Sequence, residues 1–231
     1  MAKASSAILV HGAWADGSSW SKVIPLLQAR GLRVTAVQLP LHSLDGDVAT
    51  VKRALALEDG PTVLVGHSYG GVVITETGDD PKVVGLVYIA AFAPEAGQSA
   101  GSLGASVEPA RLGAEIRPDK EGFLKLTESG VKNDFAQDLT STEKSVLFAT
   151  QGPTAGAALG ATVSAAAWKT KPSWYLVAIA DRAIQPALQR EMAKTIKAKT
   201  IEVTSSHLAM LARPDETANL ILEAAGVIDQ R

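Results

Sequence analysis

Residues 62–77 read TVLVGHSYGGVVITET. The opening run Thr62–Val65 is β-branched or apolar throughout, the pattern of a strand covered on both faces. The closing run Val72–Thr77 reads as the body of a helix. Between them stands Gly66-His67-Ser68-Tyr69-Gly70, a G-x-S-x-G motif with a further glycine at 71. A strand that turns sharply into a helix through this motif is a nucleophile elbow. The glycines keep neighbouring side chains out of the turn, so the serine Oγ stands exposed at the sheet edge. The helix start behind it offers free backbone N–H groups, and the positive end of a dipole, to a developing negative charge. A bare G-x-S-x-G is common; its place between strand and helix gives it weight.

The alternation extends outward from the elbow. Upstream, Ala7–Val10 and Arg33–Leu39 read as strands, Ser21–Arg30 and Asp47–Leu57 as helices. Downstream, Val83–Ala90 is a further strand. Nearly all-apolar strands alternating with helices predict an α/β fold, a mostly parallel sheet with right-handed crossovers and helices on both faces. The rhythm breaks after Ala93-Pro94. Residues 95–170 are rich in Gly, Ala, Ser and Thr, with helical pieces expected at Asp119–Glu128 and Thr142–Thr150 and no strong strand. They are expected to form an inserted, largely helical cap, the core domain being residues 1–94 and 171–231. The rhythm returns with a strand at Trp174–Ala180, a helix at Pro186–Ile196, a strand at Thr200–Thr204 and a helix at Asp215–Gly226.

Composition narrows the classes. Of 231 residues 46% are apolar, enough for a sizeable core, and the net charge is −2 with both signs scattered. There is no basic stripe for nucleic acid and no single-sign tail. There are no cysteines, which excludes disulfides, zinc–thiolate sites and a cysteine nucleophile. The first residues contain only a four-residue apolar run, too short for a secretory core, and no stretch reaches membrane-span length. The expectation is a cytoplasmic protein, monomer or homodimer, without nucleic-acid or membrane partners.

A serine needs an adjacent base. The four histidines are His11, His42, His67 and His207. His67, inside the elbow, should point away from Oγ. His42 reads as a surface or rim residue, and His11 heads a loop after the first strand. His207 follows the last strand and is the candidate base. A base needs an acid to fix its tautomer. Asp181 ends the strand Trp174–Ala180, whereas Asp215 opens a helix and Asp79 lies at a helix end. Ser68, Asp181 and His207 stand in the chain order Ser…Asp…His. Candidate oxyanion donors are the backbone N–H of Tyr69 and, from the loop His11-Gly12-Ala13-Trp14, that of Ala13.

Taken together, HGAW at 11–14, PLLQARGLRVTAVQLP at 25–40, VGHSYGG at 65–71, SWYLVAIADRAIQPALQREMA at 173–193 and SSHLAMLARPDE at 205–216 resemble one group. They are similar to the small α/β-hydrolases related to plant methylesterases and hydroxynitrile lyases. The resemblance spans nearly the whole chain and is weakest in the cap. It implies the α/β-hydrolase fold and matches Asp181 and His207 to that family's triad acid and base. It also implies a choice between two chemistries. The lyases carry Thr at the position of Gly12 and Lys at the position of Leu208, so both departures favour ester hydrolysis. Gly12, Trp14 and Leu208 are expected at an apolar substrate pocket, with Met210 better explained as core. The implied activity is cleavage of small carboxylic esters through an acyl-enzyme, without metal or organic cofactor. A lyase or C–C bond-cleaving enzyme with the same triad, and a slow small-molecule receptor on the same fold, are the alternatives.

Overall fold

A computed structural model describes residues 3–228. The described strands are β1 (Ser6–Val10), β2 (Arg33–Ala36), β3 (Thr62–His67), β4 (Val83–Ile89), β5 (Ile116–Pro118), β6 (Phe123–Leu126), β7 (Thr154–Ala155), β8 (Ser173–Ala178) and β9 (Lys199–Val203). The helices are α1 (Ile24–Gln28), α2 (Leu44–Ala56), α3 (Gly70–Thr77), α4 (Ala100–Gly104), α5 (Glu128–Gly130), α6 (Ser141–Thr150), α7 (Gly156–Gly160), α8 (Pro186–Thr195), α9 (Ala209–Ala212) and α10 (Pro214–Ala224).

Six strands form one parallel sheet in the order β2-β1-β3-β4-β8-β9. β1, β3 and β8 are buried at every position, as apolar strands covered on both faces must be. The edge strands β2 and β9 consist only of exposed and half-buried residues. The predicted strand Arg33–Leu39 stops at Ala36 because the next residues serve the first loop: Leu39 N–H donates to His11 Nε2 at 2.9 Å and Gln38 Oε1 accepts from Gly17 N–H. The chain runs outward from β1 to β2, then crosses to β3 on the other side. That reversal leaves a crevice at the carboxyl ends of β1 and β3, where open parallel sheets bind ligands. Both the Ser68 turn and the His11–Trp14 loop leave from there.

The segment between β4 and β8 departs from the expected helical content. β5, β6 and β7 pair antiparallel in a small separate sheet. The stretch Asp119–Glu128, expected as helix, is instead the turn and second strand of a hairpin. Asp119 Oδ1 accepts the N–H groups of Glu121 and Phe123 at 2.8 and 2.9 Å, and Gly122 takes φ +83°. That local side-chain capture outcompetes helical bonding. The helix at Thr142–Thr150 is present as α6, with Thr140 and Glu143 forming a capping box. No described helix is long and apolar enough to cross a membrane.

Candidate active site

The elbow is strained where the motif requires it. Ser68 holds φ +53°, a left-handed conformation that costs a non-glycine residue on the order of 1–3 kcal/mol. The surroundings hold it there: Ser68 N–H donates to Ile89 O, and Ser68 O accepts from Gly71 N–H and Phe92 N–H. Trp14 in the facing loop also has positive φ, +58°. Gly12 lies directly against Ser68. A Cβ on Gly12 would stand 2.6 Å from Ser68 Cβ.

Asp181 and His207 meet as expected from their places after β8 and β9. His207 Nδ1 lies 2.7 Å from Asp181 Oδ2, and both side chains are buried. Asp181 Oδ2 also accepts from Gln189 Nε2 at 2.7 Å, and its Oδ1 accepts from the N–H groups of Ala183 and Ile184. Four donors thus hold the carboxylate in one orientation. With its proton on Nδ1, the ring keeps its Nε2 lone pair free. Ser68 and His207 line the same cavity, though the described hydrogen bonds include none between Ser68 Oγ and the imidazole. Such a contact commonly tightens only when substrate binds. Asp215 sits in the first turn of α10.

The other histidines have structural work. Leu39 N–H donates to His11 Nε2, so the proton is on Nδ1, which donates to Gly12 O at 2.8 Å. In a trans peptide the carbonyl and the following N–H point opposite ways. Anchoring Gly12 O to His11 therefore turns Ala13 N–H away from His11. Neither Ala13 N–H nor Tyr69 N–H has a hydrogen-bond partner among the described residues, although both residues are buried and line the cavity beside Ser68. Buried orphan N–H groups are rare. His67 points away from the cavity: its Nε2 donates to His207 O at 3.0 Å, and the two rings stand 4.6 Å apart. Burial holds both His67 and His11 below the ordinary imidazole pKa, His67 well below, helped there by the neighbouring His207 ring. His42 is exposed and packs edge-on against Phe123.

The cavity has a volume of about 290 Å³. Its walls are Trp14, Phe92, Leu112, Ile116, Leu159 and Ile184, with small residues between. Two polar side chains in the wall are tied back into the protein. Tyr69 Oη donates to the buried Asp47 at 2.8 Å, and Trp14 Nε1 donates to Leu124 O at 2.9 Å. Burial and the Asp47 carboxylate both push the Tyr69 phenol pKa upward, so it stays neutral.

The sequence profile of the alpha/beta hydrolase family matches residues 7–220. The chain belongs to that family. Among curated alpha/beta hydrolase relatives, a pyrethroid hydrolase from Sphingobium wenxiniae is 28% identical over 94% of this chain and 86% of its own. Methylesterase 8 of Arabidopsis thaliana is 34% identical over 38% of each chain. A solved pyrethroid hydrolase from Sphingobium faniae superposes with a TM-score of 0.83 at 25% identity, covering 96% of this chain and 98% of that one.

Within this alpha/beta hydrolase, two of the expected pocket residues lie elsewhere. Trp14 lines the cavity, but Gly12 and Leu208 do not. Gly12 packs behind Ser68, where no side chain fits. Leu208 is fully buried in the core, and its carbonyl accepts from Leu211 and Ala212 N–H at the start of α9. Met210 is likewise core. The cavity residues missed from sequence, Phe92, Leu112, Ile116 and Leu159, lie in or beside the Gly/Ala-rich segment. There no periodicity marks which apolar residue faces inward.

Proposed function

We propose that this chain is a serine esterase for small, neutral carboxylic esters, working through an acyl-enzyme. Ser68 is the nucleophile, His207 the base and Asp181 its orienting carboxylate. His207 Nε2 takes the Ser68 proton as Oγ bonds to the ester carbonyl carbon. The tetrahedral oxyanion is held by Ala13 N–H and Tyr69 N–H; one such donor is typically worth roughly 3–4 kcal/mol of barrier. Collapse breaks the C–O bond to the alcohol, which leaves with the proton from His207. Water then gives its proton to His207 and its oxygen to the acyl carbon, and the acid departs as Ser68 recovers its hydrogen. No cofactor enters these steps. In this reading residues 95–170 act as the cap over a core of 1–94 and 171–231.

The observation that carries the proposal is the cavity itself. Ala13 and Tyr69, whose N–H groups have no partner among the described residues, and an imidazole paired to a four-times-bonded carboxylate line the same cavity as a strained serine, in a wall otherwise apolar. The names of the relatives, a pyrethroid hydrolase and a methylesterase, support ester cleavage. Among the described residues no Lys or Arg lines the cavity to receive a departing cyanide, which speaks against the lyase alternative.

The test is hydrolysis of nitrophenyl esters from acetate to octanoate by wild type and Ser68→Ala. Multiple turnover that vanishes in Ser68→Ala is expected. A folded wild type that turns over none of these esters would overturn the proposal.

A further inference from the structure

The segment between β4 and β8 reaches past the cavity to the two loops that carry the acid and the base. Val131–Phe135 forms a π-helical turn, a geometry that recurs at functional sites. From there a short run of residues contacts those loops. Asn133 O accepts from Arg182, and the Asp134 carboxylate lies 3.6 Å from the Arg182 guanidinium. The Phe135 ring sits 5.3 Å from the His207 ring. Gln137 Nε2 donates to Ala180 O at 2.7 Å, and Asp138 Oδ2 accepts from Ser206 N–H at 2.7 Å.

Ala180 and Ser206 immediately precede Asp181 and His207. A peptide unit is a rigid plate, so a hydrogen bond at one of its polar atoms restrains the Cα atoms at both of its ends, and through them the residues that follow. Gln137 holds the plate between Ala180 and Asp181. Asp138 holds the plate between Ser205 and Ser206, whose carbonyl already accepts from Ala180 N–H at 3.1 Å. Past the imidazole, His67 holds His207 O. Ser206 is wholly buried, whereas Asp138 is exposed and reaches in from outside.

We propose that Gln137 and Asp138 are positioning residues, bracing Asp181 and His207 in register with Ser68. The segment they belong to is then part of the catalytic scaffold as well as a roof. This rests on the triad reading above.

The test compares Asp138→Ala, Asp138→Asn and Gln137→Met with wild type, on an ester that wild type turns over. Acyl-enzyme burst titration counts competent sites, and thermal melts report folding. Asp138→Ala is expected to lower kcat roughly 10- to 100-fold with KM within about threefold, as small misplacements of a reacting group do. Asp138→Asn keeps an oxygen for Ser206 N–H and should recover to within about threefold of wild type. Gln137→Met, nearly isosteric but without the donor, should lose kcat in the same sense. A second readout needs no turnover: the downfield NMR signal of the His207 Nδ1 proton should broaden or shift in Asp138→Ala and persist in Asp138→Asn. Wild-type kcat and an unchanged signal in folded Asp138→Ala or Gln137→Met would overturn the proposal. So would equal losses in Asp138→Ala and Asp138→Asn, which would assign the effect to charge. If Asp138→Ala does not fold, Gln137→Met and Asp138→Asn decide by the same criteria. Failure of the triad reading is a separate result, a wild type without Ser68-dependent turnover.

Discussion

Gly12 shows how little slack surrounds Ser68. A single added methyl would meet Ser68 Cβ at 2.6 Å and His67 O at 3.0 Å, both fixed by strained or hydrogen-bonded backbone. Something has to move, and the Ser68 Oγ moves with it. Gly12→Ala is expected to lower kcat/KM on the order of 100-fold, the cost of roughly 1 Å of misplacement. Ester kinetics beside a crystal structure of the variant check this, and full activity would refute the tight fit. Ser68, Asp181 and His207 could be singled out in the sequence because each follows a strand at the same sheet edge, so chain order and strand position were enough. Gln189, which donates to Asp181 and accepts from the Ala178 N–H, was not legible. It reads as one polar position on an amphipathic helix until the fold turns it inward. Nor was the position of Leu208, because a side chain next to the base can face either cavity or core.

Among elements, the β5–β6 hairpin decides the shape of one cavity wall. Asp119 organises its turn, and Ile116 on β5 faces the cavity. Asp119→Ala removes two accepted hydrogen bonds at an exposed turn, at a net loss of about 1 kcal/mol in unfolding free energy. Urea denaturation measures that loss. The loosened wall should raise KM for the longer esters more than it lowers kcat. An unchanged midpoint and unchanged KM would show that the turn holds without Asp119. The core strands could be read because their apolar runs were long and bounded by turns. The strands between β4 and β8 could not, because three and two residues in β5 and β7 carry no period to detect. The readable signal there was turn chemistry, Pro118-Asp119 and then Gly122.

Among the described residues three imidazoles are buried, and burial lowers the pKa of two of them, His11 and His67. Their folded pKa values lie below 6.5 while the unfolded chain keeps the ordinary value, so below pH 6.5 the unfolded state binds more protons. Stability is therefore complete above about pH 6.5 and falls as the pH drops toward the folded values. Asp47, whose carboxyl is raised by burial, acts in the opposite direction at more acid pH. Melting temperature should decline from about pH 7.5 to about pH 5.5, as a differential scanning series would record. A flat or rising trend would mean that these rings ionise in place. At this scale the sequence placed the parallel sheet and the helices that cover it. It did not place contacts such as Asp138 to Ser206, which join residues far apart in the chain with no shared pattern.

The apolar cavity wall also governs how the product leaves. An ester enters neutral, but its acid is born into the cavity and ionises at neutral pH. Among the described residues no Lys or Arg in the wall waits to bind a carboxylate. The product is thus expelled by the same surface that welcomed the substrate, and accumulating acid should inhibit the enzyme far less than an uncharged amide of the same shape.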